Sequence, residues 1–218
     1  MINLKDKKIN SVYLGTKKIY SSSLLPKEYQ QVEYIESTGT QHINTNILYD
    51  ISNNYEIIAD LIALEGSDGK YFCGWNAGGS FGAKSSSYEL YTGSSSLILD
   101  TRIRTQINMK INANADTTTD YIGIQSNNTQ NGSRLHTNLL SYAGNLGFPI
   151  FAIASQGFIG NNSLIKLFSF SIKVNNILIR DFIPCYCKSD NEIGLYDLVN
   201  DVFYTNSGTG TFLKGGDV

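Results

Sequence analysis

An all-β fold is what this sequence predicts: two antiparallel sheets packed face to face as a sandwich or jelly roll. Three observations carry that expectation. Apolar residues recur with period two over long stretches, which sends alternate side chains to opposite faces of a strand. No long run shows the 3.6-residue period of an amphipathic helix, and Leu139–Leu146 is the one candidate for a short helical turn. Clusters of Ser, Thr, Asn and Gly punctuate the apolar runs at short intervals, as the turns of a sandwich require.

The bulk properties set the scale. The 218 residues fit one large β-domain, with or without a small appendage, and suffice to bury a core without disulfide staples. Charged residues make up 17% and the net charge is -2, which argues against a nucleic-acid binder with its basic patch or stripe. Three Pro and 20 Gly are too few for a fibrous or disordered chain. No apolar run has the length of a membrane-spanning helix. After Met1-Ile2-Asn3-Leu4 come Lys5, Asp6, Lys7 and Lys8, with no apolar leader. The expectation is synthesis in a bacterial cytoplasm without a signal peptide, followed by exit by lysis or inside a particle.

Taken in order, residues 1–23 read as a separate β segment. Two apolar-alternating pieces, Ile2–Leu4 and Val12–Tyr20, flank a Lys-rich turn, and Ser21-Ser22-Ser23 makes a joint to the main domain, 24–218. The segment is either an attachment module or an extra hairpin on the main sheet. Val32–Glu36 and His42–Ile47 flank the turn cluster Ser37-Thr38-Gly39-Thr40. Tyr55–Leu64 is apolar on both faces apart from Glu56 and Asp60, as in a central strand. Tyr71–Trp75 and Tyr88–Tyr91 are short strands. In 97–111, Leu97, Leu99, Ile103, Ile107, Met109 and Ile111 alternate with Asp100, Arg102, Arg104, Gln106, Asn108 and Lys110, so the first set points inward. Tyr121–Gln125 is a strand and Ser126–Ser133 a polar loop. Phe148–Ala154 and Leu164–Val174 are strands, and Leu164, Phe168, Phe170, Ile172 and Val174 are expected on one face. Asn175-Asn176 tolerates positive φ and predicts a two-residue hairpin into Ile177–Ile183. Glu192–Tyr196 and Val202–Tyr204 complete the pattern, and Lys214–Val218 reads as a frayed end.

Two stretches are more specific: LPKEYQQVEYIESTGTQHINTNI at Leu25–Ile47, and RDFIPCYCKSDNEIGLYDLVNDVFYTNSGTGTF at Arg180–Phe212. They resemble the opening and closing strands of the concanavalin A-like (laminin-G-like) jelly-roll domains of phage and prophage tail structural proteins. There an EYIxSTGTQ strand near the start pairs with a GLYDLVNxxFYTNxGTGxF segment at the end. The 1–23 segment is similar to short β-modules at the N-termini of phage tail proteins. The resemblance implies a jelly roll, a virion setting, other tail proteins as partners, and frequent assembly as a homo-oligomer such as a trimer. It brings no catalytic motif.

The chemistry-bearing residues agree with that silence. A glycosidase on this fold needs two carboxylates across the scissile bond, which appear in laminarinase-type enzymes as E-x-D-x-x-E. Here the acids are scattered; Glu56 and Asp60 lie about 13 Å apart along one strand and read as solvent-facing or ion-paired. There is no phosphate loop or dinucleotide fingerprint. His42 reads as a structural stand-in for an aromatic in a GTQYIDT-like strand, and His136 has no motif around it. Cys73, Cys185 and Cys187 read as reduced thiols, the last two sharing a strand face. Laminin-G-like domains often carry a rim calcium, and Asp68, Asp116, Asp120 and Asp190 are in suitable loops, but none has calcium-loop spacing. No cofactor is expected.

Sugar binding remains, through aromatic plates and planar polar side chains. One candidate is Trp75, Asn76, Tyr88 and Tyr91 around a glycine-rich loop; its alternative is that Trp75 fills the core. The other is the outward row Arg102, Arg104, Gln106 and Asn108; its alternative is a merely solvated face. The functional expectation is a non-catalytic tail module that binds host cell-surface carbohydrate. A structural adaptor contacting other virion proteins is the rival, and a glycoside hydrolase the distant third.

Overall fold

A computed structural model describes residues 2–4, 7–9, 11–14, 17–21, 24–50, 52–64, 70–76, 80–86, 89–92, 95–98, 104–111, 121–126, 129–134, 146–155 and 157–218. The alternating pattern is realised as strands, and no helix occurs among the described residues. Near the N-terminus, β1 (Ile2–Leu4) pairs with β2 (Lys7–Ile9), and β3 (Ser11–Leu14) with β4 (Lys17–Ser21), as two antiparallel hairpins. There follow β5 (Tyr29–Gln31), β6 (Ile35–Glu36), β7 (Ile43–Asn44), β8 (Tyr55–Ala63), β9 (Lys70–Asn76), β10 (Ser80–Ser86), β11 (Glu89–Thr92) and β12 (Ser95–Ile98). Next come β13 (Thr105–Ile111), β14 (Tyr121–Ser126), β15 (Thr129–Arg134), β16 (Pro149–Ile150), β17 (Ile153–Ser155) and β18 (Phe158–Gly160). The chain closes with β19 (Ile165–Val174), β20 (Ile177–Cys187), β21 (Ile193–Asp197), β22 (Val202–Tyr204) and β23 (Leu213–Lys214).

These form two largely antiparallel sheets. The larger runs β15-β14-β13-β8-β19-β20-β21-β22, with β5 on β20 and β6 bridging β19 and β23. The smaller runs β12-β11-β10-β9-β16-β7, with β17 added to β9 in parallel and β18 beyond it. One apolar core lies between them. Ile57, Ala59, Leu61, Ile107, Met109, Leu167, Phe170 and Ile172 enter from the large sheet, and Ile43, Phe72, Cys73, Trp75 and Ile150 from the small one. Each such large aliphatic or aromatic side chain contributes about 1.5–3 kcal/mol by leaving water. The β-sandwich character expected from the alternation is therefore present. On the far side of the large sheet, Leu25 and Tyr29 cover Cys185, Tyr196 and Phe203, forming a second, smaller core.

Several expectations change in detail. The alternation in 97–111 spans two sheets: β12 belongs to the small one and β13 to the large one. In β13, Thr105, Ile107 and Met109 are buried while Gln106, and Arg104 just before the strand, are exposed, as the alternation requires. The expected polar loop at 126–133 contains strand β15, paired with β14. Phe148–Ala154 is broken between β16 and β17, where Phe151 has φ 71 and its buried ring meets Phe212 at 4.9 Å. In β19 the register slips between Leu167 and Ser169, so both Phe168 and Ser169 fall on the outer face. Ile165 and Leu167 are buried before this bulge, Phe170 and Ile172 after it. Phe168 thus leaves the core-facing set in which period two alone places it.

The Asn175-Asn176 hairpin forms as expected. Both residues have positive φ, 51 and 65, and Val174 faces Ile177 across the turn. The C-terminus is not frayed. Gly215 N donates to Tyr34 O at 2.9 Å, Glu33 N to Gly216 O at 2.9 Å and Val218 N to Gln31 O at 3.1 Å. Residues 213–218 therefore run antiparallel to 31–36, and backbone pairing holds them where composition alone suggested freedom. The Leu139–Leu146 candidate lies outside the described residues up to 145.

Candidate binding face

The two specific stretches of the sequence meet at one end of the sandwich, around Gln41. Its side chain is 1% exposed. Its Oε1 accepts from Ser37 Oγ at 3.1 Å and Thr38 N at 2.8 Å, and its Nε2 donates to Thr211 O at 3.1 Å. Thr40 Oγ1 donates to Thr209 O at 2.8 Å, and Asn206 Oδ1 accepts from His42 N at 3.1 Å. Gly208 packs so close to Thr40 O that a Cβ there would stand 2.2 Å away. STGTQ and TNSGTGTF thus fold against each other, with Gln41 satisfying groups on both sides. The His42 ring lies 3.5 Å from Asn162 Nδ2, and burial pushes its pKa below the ordinary value.

The GLYDLVN stretch also acts within the protein. Asp197 is fully buried and accepts from Asp181 N at 3.1 Å, Val199 N at 3.0 Å and Asn200 Nδ2 at 2.7 Å. Arg180 Nε stands 3.5 Å from Asp197 Oδ2, an ion pair without a hydrogen bond. The Arg180 guanidinium crosses the sandwich to donate to Thr45 O at 3.2 Å. Burial, and then the neighbouring Asp197 charge, raise the pKa of Asp181.

The exposed chemistry gathers on the outer face of the large sheet. The Arg104 guanidinium lies 3.9 Å above the Phe168 ring, and Phe168 meets Tyr34 edge-on at 5.4 Å. Lys166 Nζ lies 4.5 Å from the Tyr34 ring centroid and donates to its hydroxyl at 3.2 Å. Acids flank both cations. Arg104 makes a two-pronged contact with Asp60, Nη2 to Oδ2 at 2.7 Å and Nε to Oδ1 at 3.0 Å, and this bonding raises the arginine pKa. Lys166 lies 3.6 Å from Glu36. The result is a row of two edge-on rings, Phe168 and Tyr34, with a cation at each end, Arg104 and Lys166, and with Gln106 exposed beside it. Planar donors, carboxylate acceptors and apolar ring edges stand together there, a set suited to polyhydroxylated ligands.

The sequence-predicted residues divide as follows. Arg104 and Gln106 are on this face. Trp75 is in the core at 1% exposure, in ring contact with Tyr49, Tyr55 and Phe148, and its Nε1 donates to Leu146 O at 3.2 Å. It presents no plate to a ligand, and the core alternative weighed for it holds. Asn76 ends β9 and Tyr91 is in β11, both in the small sheet. Tyr88 and Arg102 lie outside the described residues. The sequence reading missed Tyr34, Glu36, Lys166 and Phe168. Tyr34 and Glu36 sit in the EYIES stretch, where no local pattern marks them as surface chemistry, and the bulge turns Phe168 out of the face that period two gives it.

Glu56 and Asp60, the two acids on one strand, are ion-paired: Glu56 with Lys173 at 2.9 Å and Asp60 with Arg104. Cys185 and Cys187 share the outer face of β20 opposite Gln31 and Tyr29, and none of the three cysteines is in a disulfide. Burial pushes the Cys185 thiol up to about 12, so it stays protonated. Among the described residues no group of three His, Cys, Asp or Glu side chains is placed to hold a metal, and no helix is long and apolar enough to cross a membrane. Comparison with known proteins finds no matching family model, curated protein or solved structure.

Proposed function

We propose that this chain is a non-catalytic module of a phage or prophage tail, built on a concanavalin A-like jelly roll, that binds carbohydrate on the bacterial host surface. The observation that carries the binding reading is the Arg104–Phe168–Tyr34–Lys166 row with its flanking Asp60 and Glu36. Glycan hydroxyls are recognised by charged and planar groups held in fixed directions, and the apolar sugar face by neighbouring rings. Gln106 extends the row. The family part rests on the EYIESTGTQ and GLYDLVN…GTGTF stretches, whose meeting around Gln41 agrees with the pairing that the resemblance implies. The reading that it is not a glycoside hydrolase rests on Glu56 and Asp60, the two acids on one strand, each pairing with a different cation. A homo-oligomer, such as a trimer joined to other tail proteins, would raise a weak single-site affinity through multivalency. The setting is the virion, and no metal or cofactor is required.

One observation favours the second reading, an adaptor that touches only other virion proteins. Arg104 and Lys166 cover the rings beneath them, so a sugar would have to displace a cation to stack. Calorimetric titration of the protein with host cell-wall polysaccharide separates the two. Saturable binding, weakened in Arg104→Ala and Phe168→Ala while the thermal transition persists, supports the carbohydrate reading. Absence of binding to polysaccharide and to whole host cells, with stable assembly onto tail proteins, would replace it with the adaptor. Release of reducing ends would point to a glycoside hydrolase and overturn both.

A further inference from the structure

Elsewhere on the same outer face, three adjacent strands bring a lysine and an asparagine to a single glutamate carboxylate. Glu56 lies on the central strand β8. From β19, Lys173 Nζ donates to Glu56 Oε2 at 2.9 Å; from β13, Asn108 Nδ2 donates to Oε1 at 3.0 Å. Lys173 faces Glu56 directly in the ladder, while Asn108 faces Ile58 on the other flank of β8. The Glu56 side chain is 13% exposed and that of Lys173 34%. Asn108 Oδ1 is buried with no hydrogen-bond partner among the described residues. A cross-strand Lys–Glu pair is ordinary sheet chemistry. A carboxamide held on the same carboxylate, with its carbonyl sealed from water and unpartnered, is not explained by that pairing.

We infer that Lys173, Glu56 and Asn108 form a self-reacting site that joins Lys173 Nζ to Asn108 Cγ in an isopeptide bond. The components are those of an acyl transfer: a nucleophilic amine, an acyl carbon bearing an amine-type leaving group, and a carboxylate in contact with both. Glu56 first takes a proton from the Lys173 ammonium. The neutral amine then adds to Asn108 Cγ, forming the C–N bond. Glu56 returns that proton to Nδ2 and takes up the second Nζ proton as the Cγ–Nδ2 bond breaks; the departing ammonia carries this proton away as ammonium, which leaves Glu56 a carboxylate and one hydrogen on the amide nitrogen. Atoms and charge balance with no oxidant or co-reactant. The span fits: two inter-strand spacings separate β13 from β19 by about 9.6 Å, and a lysine joined end to end with an asparagine covers about 10 Å. The product would tie β13 to β19 over the top of β8, cross-linking the middle of the large sheet. Because the ammonium must lose its proton first, the bond forms faster as pH rises.

Mass spectrometry of the intact purified chain tests this directly. After incubation at neutral and at mildly alkaline pH, the expected mass is that of the sequence less one ammonia. Proteolysis is expected to release a branched peptide linking Lys173 to Asn108, sequenced by tandem fragmentation. Glu56→Gln and Asn108→Ala are expected to keep their full sequence masses. A full-length mass for the wild-type protein after prolonged alkaline incubation overturns the inference. So does ammonia loss without the branched peptide, which signals asparagine cyclisation. Because the wild-type mass decides, the test does not depend on any variant folding.

Discussion

Replacing Gln41 by leucine probes whether the meeting of the two end segments holds the sandwich closed. Leucine approximates the glutamine in volume but offers no polar atom. Its partners include the Ser37 hydroxyl at 3.1 Å, the Thr38 amide at 2.8 Å and the Thr211 carbonyl at 3.1 Å. At about 0.5–1.5 kcal/mol net for each, their loss amounts to about 2–4 kcal/mol. Because Thr211 lies next to Phe212, whose ring packs on Phe151, loosening of the closing strand adds to this and does not relieve it. Urea unfolding followed by circular dichroism measures the difference as a shifted midpoint with an unchanged slope. Thr40→Ala is the control: its bond to Thr209 O is exposed, and its loss costs under about 1 kcal/mol. A Gln41→Leu variant within about 0.5 kcal/mol of the wild type would refute the idea that this buried amide locks the ends together.

Other outcomes follow from the same geometry. Asp197→Ala strands the Asp181 and Val199 amides and leaves Arg180 without its buried counter-charge, and is expected to cost about 3–5 kcal/mol in denaturant unfolding. Asp181→Asn is expected to do the reverse. The folded-state pKa of Asp181 is raised above 3.8, so its stability contribution is present at low pH and lost as pH rises through the folded value; removing the charge stabilises the neutral-pH protein. His42 has the opposite sign. Its folded-state pKa lies below 6.5, so stability is full above 6.5 and falls as pH drops toward the folded value. Unfolding midpoints from about pH 8 to pH 5 should show that step in the wild type and lack it in His42→Tyr. Trp75 is expected to emit as a buried indole and to ignore added glycan, and Trp75→Ala to cost about 3–5 kcal/mol. A red-shifted, readily quenched emission would contradict its placement.

Much of the fold was legible in the chain because two-residue periodicity is a local property. The alternation in β8 and β13, the absence of helical periodicity and the positive-φ turn at Asn175-Asn176 all follow from neighbours in sequence. Their positions on one strand also marked Glu56 and Asp60 as solvent-facing or ion-paired, and both are ion-paired. Trp75 was ambiguous for a physical reason: an indole ending a strand fills a core or floors a site equally well until its neighbours are known.

What only the tertiary structure decided depends on contacts between residues far apart in the chain. The bulge at Phe168–Ser169 turns one aromatic outward, and no local pattern marks it, because the slip is measured against β8 about 107 positions away in sequence. Arg104 then finds Phe168 beneath it and Asp60 beside it, and Lys173 and Asn108 find Glu56 between them. The final residues KGGDV look like a loose tail by composition. They are ordered because strand 31–36 offers them unpaired backbone groups, and a backbone donor is indifferent to the side chain that carries it.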